Sequence, residues 1–261
     1  MPRAAPLGLN DPGEDAVTRI VHGGALHVSR RRSTTPHAHY AWKIHVGLDA
    51  PVWYEGKRRV LTPESGARVL VVPPGVPHAT GAVGWSLALF VAPGRHGTGF
   101  RASATHGVAL DGPGARRLVE ACRRFADVPR SSTSELVAEL CRLAKPWLAG
   151  EGAPDGRVGE ALEHLRVDPD VALDAVARAA GVSLDRLSRL VSRDTGMRLR
   201  QHVLWSRLLS LLSANETHPT LARAAAAHGF ADHAHLTRSM RAFLGRAPSD
   251  FSAPPDALER W

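Results

Sequence analysis

The feature that most constrains this chain is a pattern written twice. "LDAVARAAGVSLDRLSRLVSRDTGMR", from Leu173, and "AAAAHGFADHAHLTRSMRAFLGRAP", from Ala224, each run an alanine-rich helix into a glycine and an apolar residue, then restart at a capping side chain. The two corners, Gly181-Val182 and Gly229-Phe230, lie 48 positions apart. Glycine supplies the positive φ that a three- or four-residue corner needs, and the apolar residue after it plugs the angle between two crossing helices. Ser183 and Asp232 stand where N-caps of the second helices belong. The pattern predicts a helix-turn-helix, twice.

Helical periodicity divides each second helix into two faces. Leu187, Leu190 and Val191 fall on one side of the first, with Asp185, Ser188, Arg189 and Ser192 on the other. Leu236, Met240 and Phe243 face inward in the second, leaving His233, Thr237, Arg238 and Arg241 outside. Those outward groups can hydrogen-bond to base edges. Between the units, an apolar-periodic helix is predicted from about Leu199 to Leu212. At 1.5 Å per residue it is on the order of 20 Å long. With its corners it would set the reading helices roughly 34 Å, one DNA turn, apart. The charge suits such a partner: 33 Lys+Arg against 25 Asp+Glu give a net +8, and lysine occurs only at Lys43, Lys57 and Lys145. Guanidinium is the better group for bidentate contact with phosphates and guanine edges.

These residues carry a resemblance. The C-terminal half resembles the DNA-binding domain of the AraC/XylS family of bacterial transcription regulators. The matching positions are Ala177, Ala180-Gly181-Val182-Ser183, Leu187, Arg189, Gly196 and Arg207-Leu208 in the first unit, with Ala225, Gly229-Phe230, Asp232, Leu236, Arg238, Gly245, Pro248 and Phe251 in the second. Three positions depart from the family pattern: Met240 for a usual phenylalanine, Ala172 for a capping serine, and Ser252 for a basic residue after the final aromatic. The resemblance implies DNA contacts from Asp185, Ser188 and Arg189 in the first reading helix, and from His233, Ala234, Thr237 and Arg238 in the second. A carboxylate at Asp185 is repelled by phosphate unless it accepts from a cytosine amino group. The competing role for Arg189 or Arg238 is a solvated ion pair with Asp185 or Asp232.

The first half is written differently. From about Arg19 to Pro93, short strand-like runs ("AWKIHVGL", "PVWYEG", "ARVLVVPPGVPH", "WSLALFV") alternate with Gly, Pro and Asp, which predicts an antiparallel barrel or sandwich. From Pro113 to about Leu148 the pattern turns helical, with Leu118, Cys122 and Phe125 on one face, then Leu136, Leu140 and Leu143. Cys122 and Cys141 lack metal or redox spacing and read as free core thiols. A glycine-rich joint at 151–156 separates a domain at 1–150 from one at 157–252, with a tail at 253–261. The fold class expected is therefore α+β in two domains, an antiparallel β-barrel with two helices followed by an all-α pair of helix-turn-helix units.

His37-x-His39 and Pro73-x-Gly75-x-x-His78 resemble the two halves of the cupin motif, and the AraC/XylS family commonly carries a cupin-like barrel ahead of its DNA-binding half. His37, His39, Trp42 and His78 are the candidates for an effector pocket, and the three histidines alone for a divalent metal such as Zn²⁺, Fe²⁺ or Ni²⁺. The glutamate that many metal-binding cupins place after the second histidine is missing; Lys43 lies in that stretch, and His45 is the one substitute nearby. No cofactor is required by the sequence.

The reading is a regulator, not an enzyme, in which a small molecule or metal in the barrel shifts two DNA-reading units. Its partners are double-stranded DNA and the effector, with RNA polymerase and a second copy of the chain as candidates, the latter through the helices at 113–148. The alternative is a cupin-type metal-binding protein or metalloenzyme with an appended helical domain. No run approaches the roughly 20 apolar residues of a membrane span, and "MPRAAPLGLNDPGEDAVTR" has prolines and acids where a secretory signal has an apolar core. The expected location is the cytoplasm.

Overall fold

The computed structural model describes residues 16–21, 24–30, 33–95, 98–99, 106–124, 132–148, 155–213, 220–248 and 258–259. In the first half, β1 (Ala16–Val21), β2 (Gly24–Arg30), β3 (Trp42–Gly47), β6 (Val69–Val72), β8 (Trp85–Val91) and β9 (Val108–Leu110) form one sheet in the order β1-β2-β8-β3-β6-β9. All of these pairs are antiparallel, and a short β10 (Leu258–Glu259) adds in parallel to β1. β5 (Arg59–Leu61), β4 (Val52–Gly56) and β7 (His78–Ala82) make a second antiparallel sheet.

Strand alternation gives the large sheet two unlike faces. On the outer face Trp42, Ile44 and Val46 of β3 join Leu26, Val28, Val69, Val71, Leu87, Leu89 and Val91. That face is covered by α1 (Gly112–Arg123) and α2 (Thr133–Leu148), which contribute Leu118, Cys122, Leu136, Leu140 and Cys141. Both cysteines are free and buried. Burial pushes the Cys122 thiol well above its usual range and the Cys141 thiol up to about 12, so both stay inert packing groups. Leu143 packs against the same core, whereas Phe125 lies outside the described residues.

The inner face is the unusual one. Lys43 and His45 pair in register with Val72 and Leu70, and with Phe90 and Ala88, whose neighbours on β2 are Ala25 and His27. The smaller sheet closes over them with Val52, Tyr54 and Ala82. The barrel interior is therefore apolar at one end and holds Lys43, His45, His78 and Thr80 at the other, all buried.

The second half is helical: α3 (Gly156–Val167), α4 (Leu173–Ala179), α5 (Leu184–Thr195), α6 (Leu199–Ser213), α7 (Leu221–Ala227) and α8 (His233–Leu244). Asp155 caps α3, accepting from the Arg157 N–H. Ser183 caps α5 and Asp232 caps α8, each accepting a main-chain N–H three residues on, and Thr220 does the same for α7. Ala172 offers α4 no side-chain cap. The corners take the left-handed backbone, φ 67° at Gly181 and 72° at Gly229, and Phe230 is buried behind the second. α6 spans both units. Leu199 and Val203 pack with α3, α4 and α5, while Trp205 and Leu208 pack with Ala225, Phe230, Leu236, Met240 and Phe243.

The two glycine corners differ in what surrounds them. A Cβ at Gly181 would meet nothing within 4 Å, but at Gly229 it would lie 2.6 Å from both Arg207 Nε and Asp170 Oδ1. Gly181→Ala is expected to cost about 1–2 kcal/mol from its backbone alone, and Gly229→Ala clearly more. Chemical denaturation of the two variants checks this, and equal losses would contradict it.

Candidate functional site

Both reading faces are built as the helical period requires. Leu187, Leu190 and Val191 anchor α5 inward; Leu236, Met240 and Phe243 anchor α8. Asp185 and Arg189 are exposed and Ser188 half-buried on α5; His233 and Arg238 are exposed and Ala234 and Thr237 half-buried on α8. Arg189 pairs with Asp185 one turn earlier, Nη2 to Oδ2 at 2.5 Å with both side chains well exposed. An exposed i,i+4 pair is worth only a few tenths of a kcal/mol, so a phosphate or base edge can take the guanidinium at little cost. Across α8, the His235 N–H and the nearby Arg238 charge hold the Asp232 carboxyl below its usual range. Thr237 donates its hydroxyl back to the His233 carbonyl at 2.8 Å. Ser252 and Phe251 lie outside the described residues.

Arg207 on α6 joins the two units. Its Nε donates to Asp170, in the turn between α3 and α4, at 3.0 Å, and its Nη1 donates to the Gly229 carbonyl at 2.6 Å. One side chain thus ties the first unit to the glycine corner of the second. Sequence periodicity places Arg207 on a helix but carries no signal for either partner.

In the barrel, His37, His39 and His78 come together, with one ligating atom from each lying within 4.8 Å of the others. Ring centroids are 4.4 Å apart for His37 and His78, 4.8 Å for His39 and His78, and 5.5 Å for His37 and His39. His37 and His39 do not sit on a regular strand. The 33–41 segment runs beside β7 through single bridges, Ser33 to Gly81 and His37 to His78, and the histidines converge from that path. Each Nδ1 lies against a carbonyl two residues away: Thr35 at 2.9 Å, Ala41 at 2.7 Å, Val76 at 2.8 Å. A carbonyl only accepts, so Nδ1 carries the proton and the lone pair resides on Nε2. Nε2 of His39 and of His78 is buried with no hydrogen-bond partner among the described residues. Leaving such an acceptor unsatisfied costs about 1–3 kcal/mol. Burial, then the Lys43 charge, pulls His37 down to about 3 and His78 to about 2, and burial holds His39 well below the usual range, so all three rings are neutral at pH 7.

Lys43 points inward. Its Nζ donates to Thr80 Oγ1 at 2.5 Å and stands 5.6 Å from the Phe90 ring centre; burial, then Arg246, pulls the ammonium down to about 7. Trp42 does not join the pocket. The half-turn between successive strand residues puts it on the outer face, where Nε1 donates to the Gly99 carbonyl at 2.8 Å. His45 faces the interior but stands outside the three-histidine group. Sequence reasoning missed two further residues: Arg246 reaches from the end of α8 into the barrel and donates to His27 Nε2 at 2.9 Å. A separate groove of about 670 Å³ between the β5–β6 region and α1 is lined by Arg59, Arg68, Arg116 and Arg123. Arg68 and Arg123 already donate to the Gly47 and Leu48 carbonyls, which makes them braces of the sheet.

The 33–41 segment also touches both reading units. The Thr35 N–H donates to the Gly245 carbonyl at 3.0 Å and the Ala38 N–H to the Ala242 carbonyl at 2.9 Å, at the end of α8. Tyr40 packs edge-on against His202 of α6, centroids 3.8 Å apart, and His202 Nε2 lies 3.0 Å from Thr195 Oγ1 at the end of α5. Tyr40 and Ala41 join the core formed by α6 and α8. An ion pair from Arg95 to Glu163 adds a further contact between the halves.

A family described as "Helix-turn-helix domain" matches residues 176–253. Compared with curated proteins, the chain has no match. Among solved structures, ToxT from Vibrio cholerae superposes with a TM-score of 0.57 at 8% identity, covering 88% of this chain and 98% of that one. Unsaturated fatty acid bound wild-type ToxT from Vibrio cholerae gives 0.57 at 10% identity, over 89% and 96%. ToxT bound to (E)-4-(8-methylnaphthalen-1-yl)but-3-enoic acid gives 0.55 at 9%, over 94% and 100%. At these identities the likeness is one of fold, and it extends through both halves of the chain. No helix among the described residues is long and apolar enough to cross a membrane.

If Arg207 is the clasp between the units, Arg207→Ala should cost about 1–3 kcal/mol of stability by leaving the Gly229 carbonyl and Asp170 without their donor. Arg207→Lys should recover only part, since an ammonium cannot span both acceptors with a planar fork. Full recovery in thermal unfolding would contradict the assignment.

Proposed function

We propose that this chain, a DNA-binding transcription regulator by its AraC-type helix-turn-helix domain at 176–253, reads two successive major grooves with α5 and α8 and answers a small molecule or ion held in the barrel. The observation that carries the reading is the mounting of both helices on α6, whose Arg207 ties the turn before α4 to the Gly229 corner, with Arg189 and Arg238 turned to solvent. Anchored inner faces and unanchored basic outer faces are what groove insertion needs. Asp185, Ser188 and Arg189 read the first half-site; His233, Ala234, Thr237 and Arg238 read the second. Asp185 holds Arg189 in the free protein and must release it, or accept from a cytosine, on binding.

The barrel is the sensing half. Its interior gathers buried polar side chains, and its 33–41 segment is bonded to the end of α8. A bound effector can therefore shift the reading units by its differential affinity for their arrangements. The fold likeness to ToxT, one structure of which has an unsaturated fatty acid bound, supports a small-molecule ligand for a chain of this fold. α1 and α2 offer a face for a second copy of the chain, RNA polymerase is the other protein partner, and the cytoplasm is the place of action. The three histidines, which a metalloenzyme reading would make catalytic, serve here in sensing.

Binding to the DNA upstream of its own gene, measured across a salt series, tests the reading. Affinity should fall steeply with salt. Arg238→Ala should lose about 1–3 kcal/mol of preference for the site over random DNA, Arg189→Ala less, and the double variant nearly all of it. A wild-type protein with no preference for any fragment would overturn the proposal.

A further inference from the structure

We propose that the groove between the β5–β6 connection and α1, on the outside of the barrel, is a second ligand site, and that it takes a phosphate monoester carried on a small apolar body. The inference is independent of the DNA-reading role and of the barrel interior.

The charge of the groove sets the class of ligand. Arg59, Arg68, Arg116 and Arg123 line it beside two acids, Asp111 and Glu120, so its walls hold two positive charges in excess. The ion pairs among the described residues include neither acid and none of these four arginines. Burial, then the nearby Arg123 charge, pulls the Arg68 guanidinium below its usual range, opposed by Asp49. An anion in the groove relieves that repulsion.

Two of the arginines are held in place beforehand. Arg68 Nε donates to the Gly47 carbonyl at 2.9 Å, and Arg123 donates through Nε and Nη2 to the Leu48 carbonyl at 3.0 and 2.8 Å. These bonds orient both guanidiniums without using all their donors: Arg68 Nη2 is buried with no acceptor among the described residues. Groups ordered in this way lose less freedom when a ligand arrives. Arg59 and Arg116 are exposed, with no side-chain hydrogen bond among the described residues, and are available to close on the ligand.

A phosphate monoester carries about −1.5 to −2 charges near pH 7 and three acceptor oxygens on one centre. It therefore matches an excess of two and suits guanidinium forks, whereas a single carboxylate leaves one charge unmatched. Leu61, Leu110 and Val119 give the same groove apolar wall. Its volume of about 670 Å³ falls in the range of small-molecule sites. A Cβ at Gly66 on one side or Gly112 on the other would meet nothing within 4 Å, so both sides are open to an entering ligand.

The test titrates the full-length protein, free of DNA and in a phosphate-free buffer at neutral pH, with phenyl phosphate by calorimetry. One molecule per chain is expected. Arg59→Gln and Arg116→Gln, which remove no internal bond, should each weaken binding at least ~10-fold. Arg117→Gln makes the same charge change on α1 outside the lining and should bind as wild type. Benzoate should bind at least ~10-fold more weakly than phenyl phosphate, and inorganic phosphate, lacking the apolar body, more weakly too. Phenyl phosphate itself should weaken as the pH falls through about 6, where the ester gains a proton and keeps a single charge. No saturable binding at millimolar concentrations, no loss in either lining variant, or an equal loss in Arg117→Gln would overturn the site. Benzoate as tight as phenyl phosphate would overturn the phosphate assignment, and inorganic phosphate as tight would overturn the apolar body.

Discussion

The structure hangs on two main-chain hydrogen bonds, from Thr35 to Gly245 and from Ala38 to Ala242. They join a barrel segment to the last turn and cap of α8, where carbonyls have no partner within their own helix. Each contributes on the order of 1 kcal/mol net, less than the burial of Tyr40 and Ala41 beside them. Their directionality matters more than their energy. Apolar contact alone would let the halves slide, but paired main-chain groups hold one registration or break. A device of that kind has discrete positions, which is how small shifts at one site become large ones at another.

Within the second half, α6 plays the corresponding part. It belongs to both hydrophobic clusters, so neither unit is packed without it. Burying one medium or large apolar side chain stabilises by roughly 1.5–3 kcal/mol, and α6 supplies several to each side. Arg207 adds direction to that packing, since its planar fork meets an acid of one unit and a carbonyl of the other. The relative placement of α5 and α8 is thus a property of one helix and one side chain. The outer faces of α5 and α8 leave Asp185, Arg189, His233 and Arg238 exposed.

Much of this was legible in the sequence because it obeys local rules. The glycine corners, the caps Ser183 and Asp232 and the course of α6 follow from backbone conformation, side-chain capping and period. Missing caps were legible too, as at Ala172. What escaped depended on which face of an element turns inward. Alternation in "WKIHVG" is plain, but its phase is the reverse of a simple sheet: apolar Trp42, Ile44 and Val46 pack beneath α1 and α2, and Lys43 and His45 fill the barrel. Sequence pattern groups Trp42 with the histidines, whereas the fold puts it on the opposite face. Arg246 with His27, and Arg207 with Asp170, join residues 219 and 37 positions apart; no period or motif relates them. The meeting of His37, His39 and His78 was legible from motif resemblance, while the carbonyls that fix their tautomers required coordinates.

In the proposed role, α5 and α8 enter two grooves on one face of the DNA. Hydroxyl-radical footprinting on the DNA upstream of the gene tests it most directly. Two protected patches are expected on one face of the duplex, centred about one helical turn, roughly 34 Å, apart, with Arg238→Ala clearing one patch and Arg189→Ala weakening the other. A single patch, or two that both vanish with either arginine alone, would contradict it.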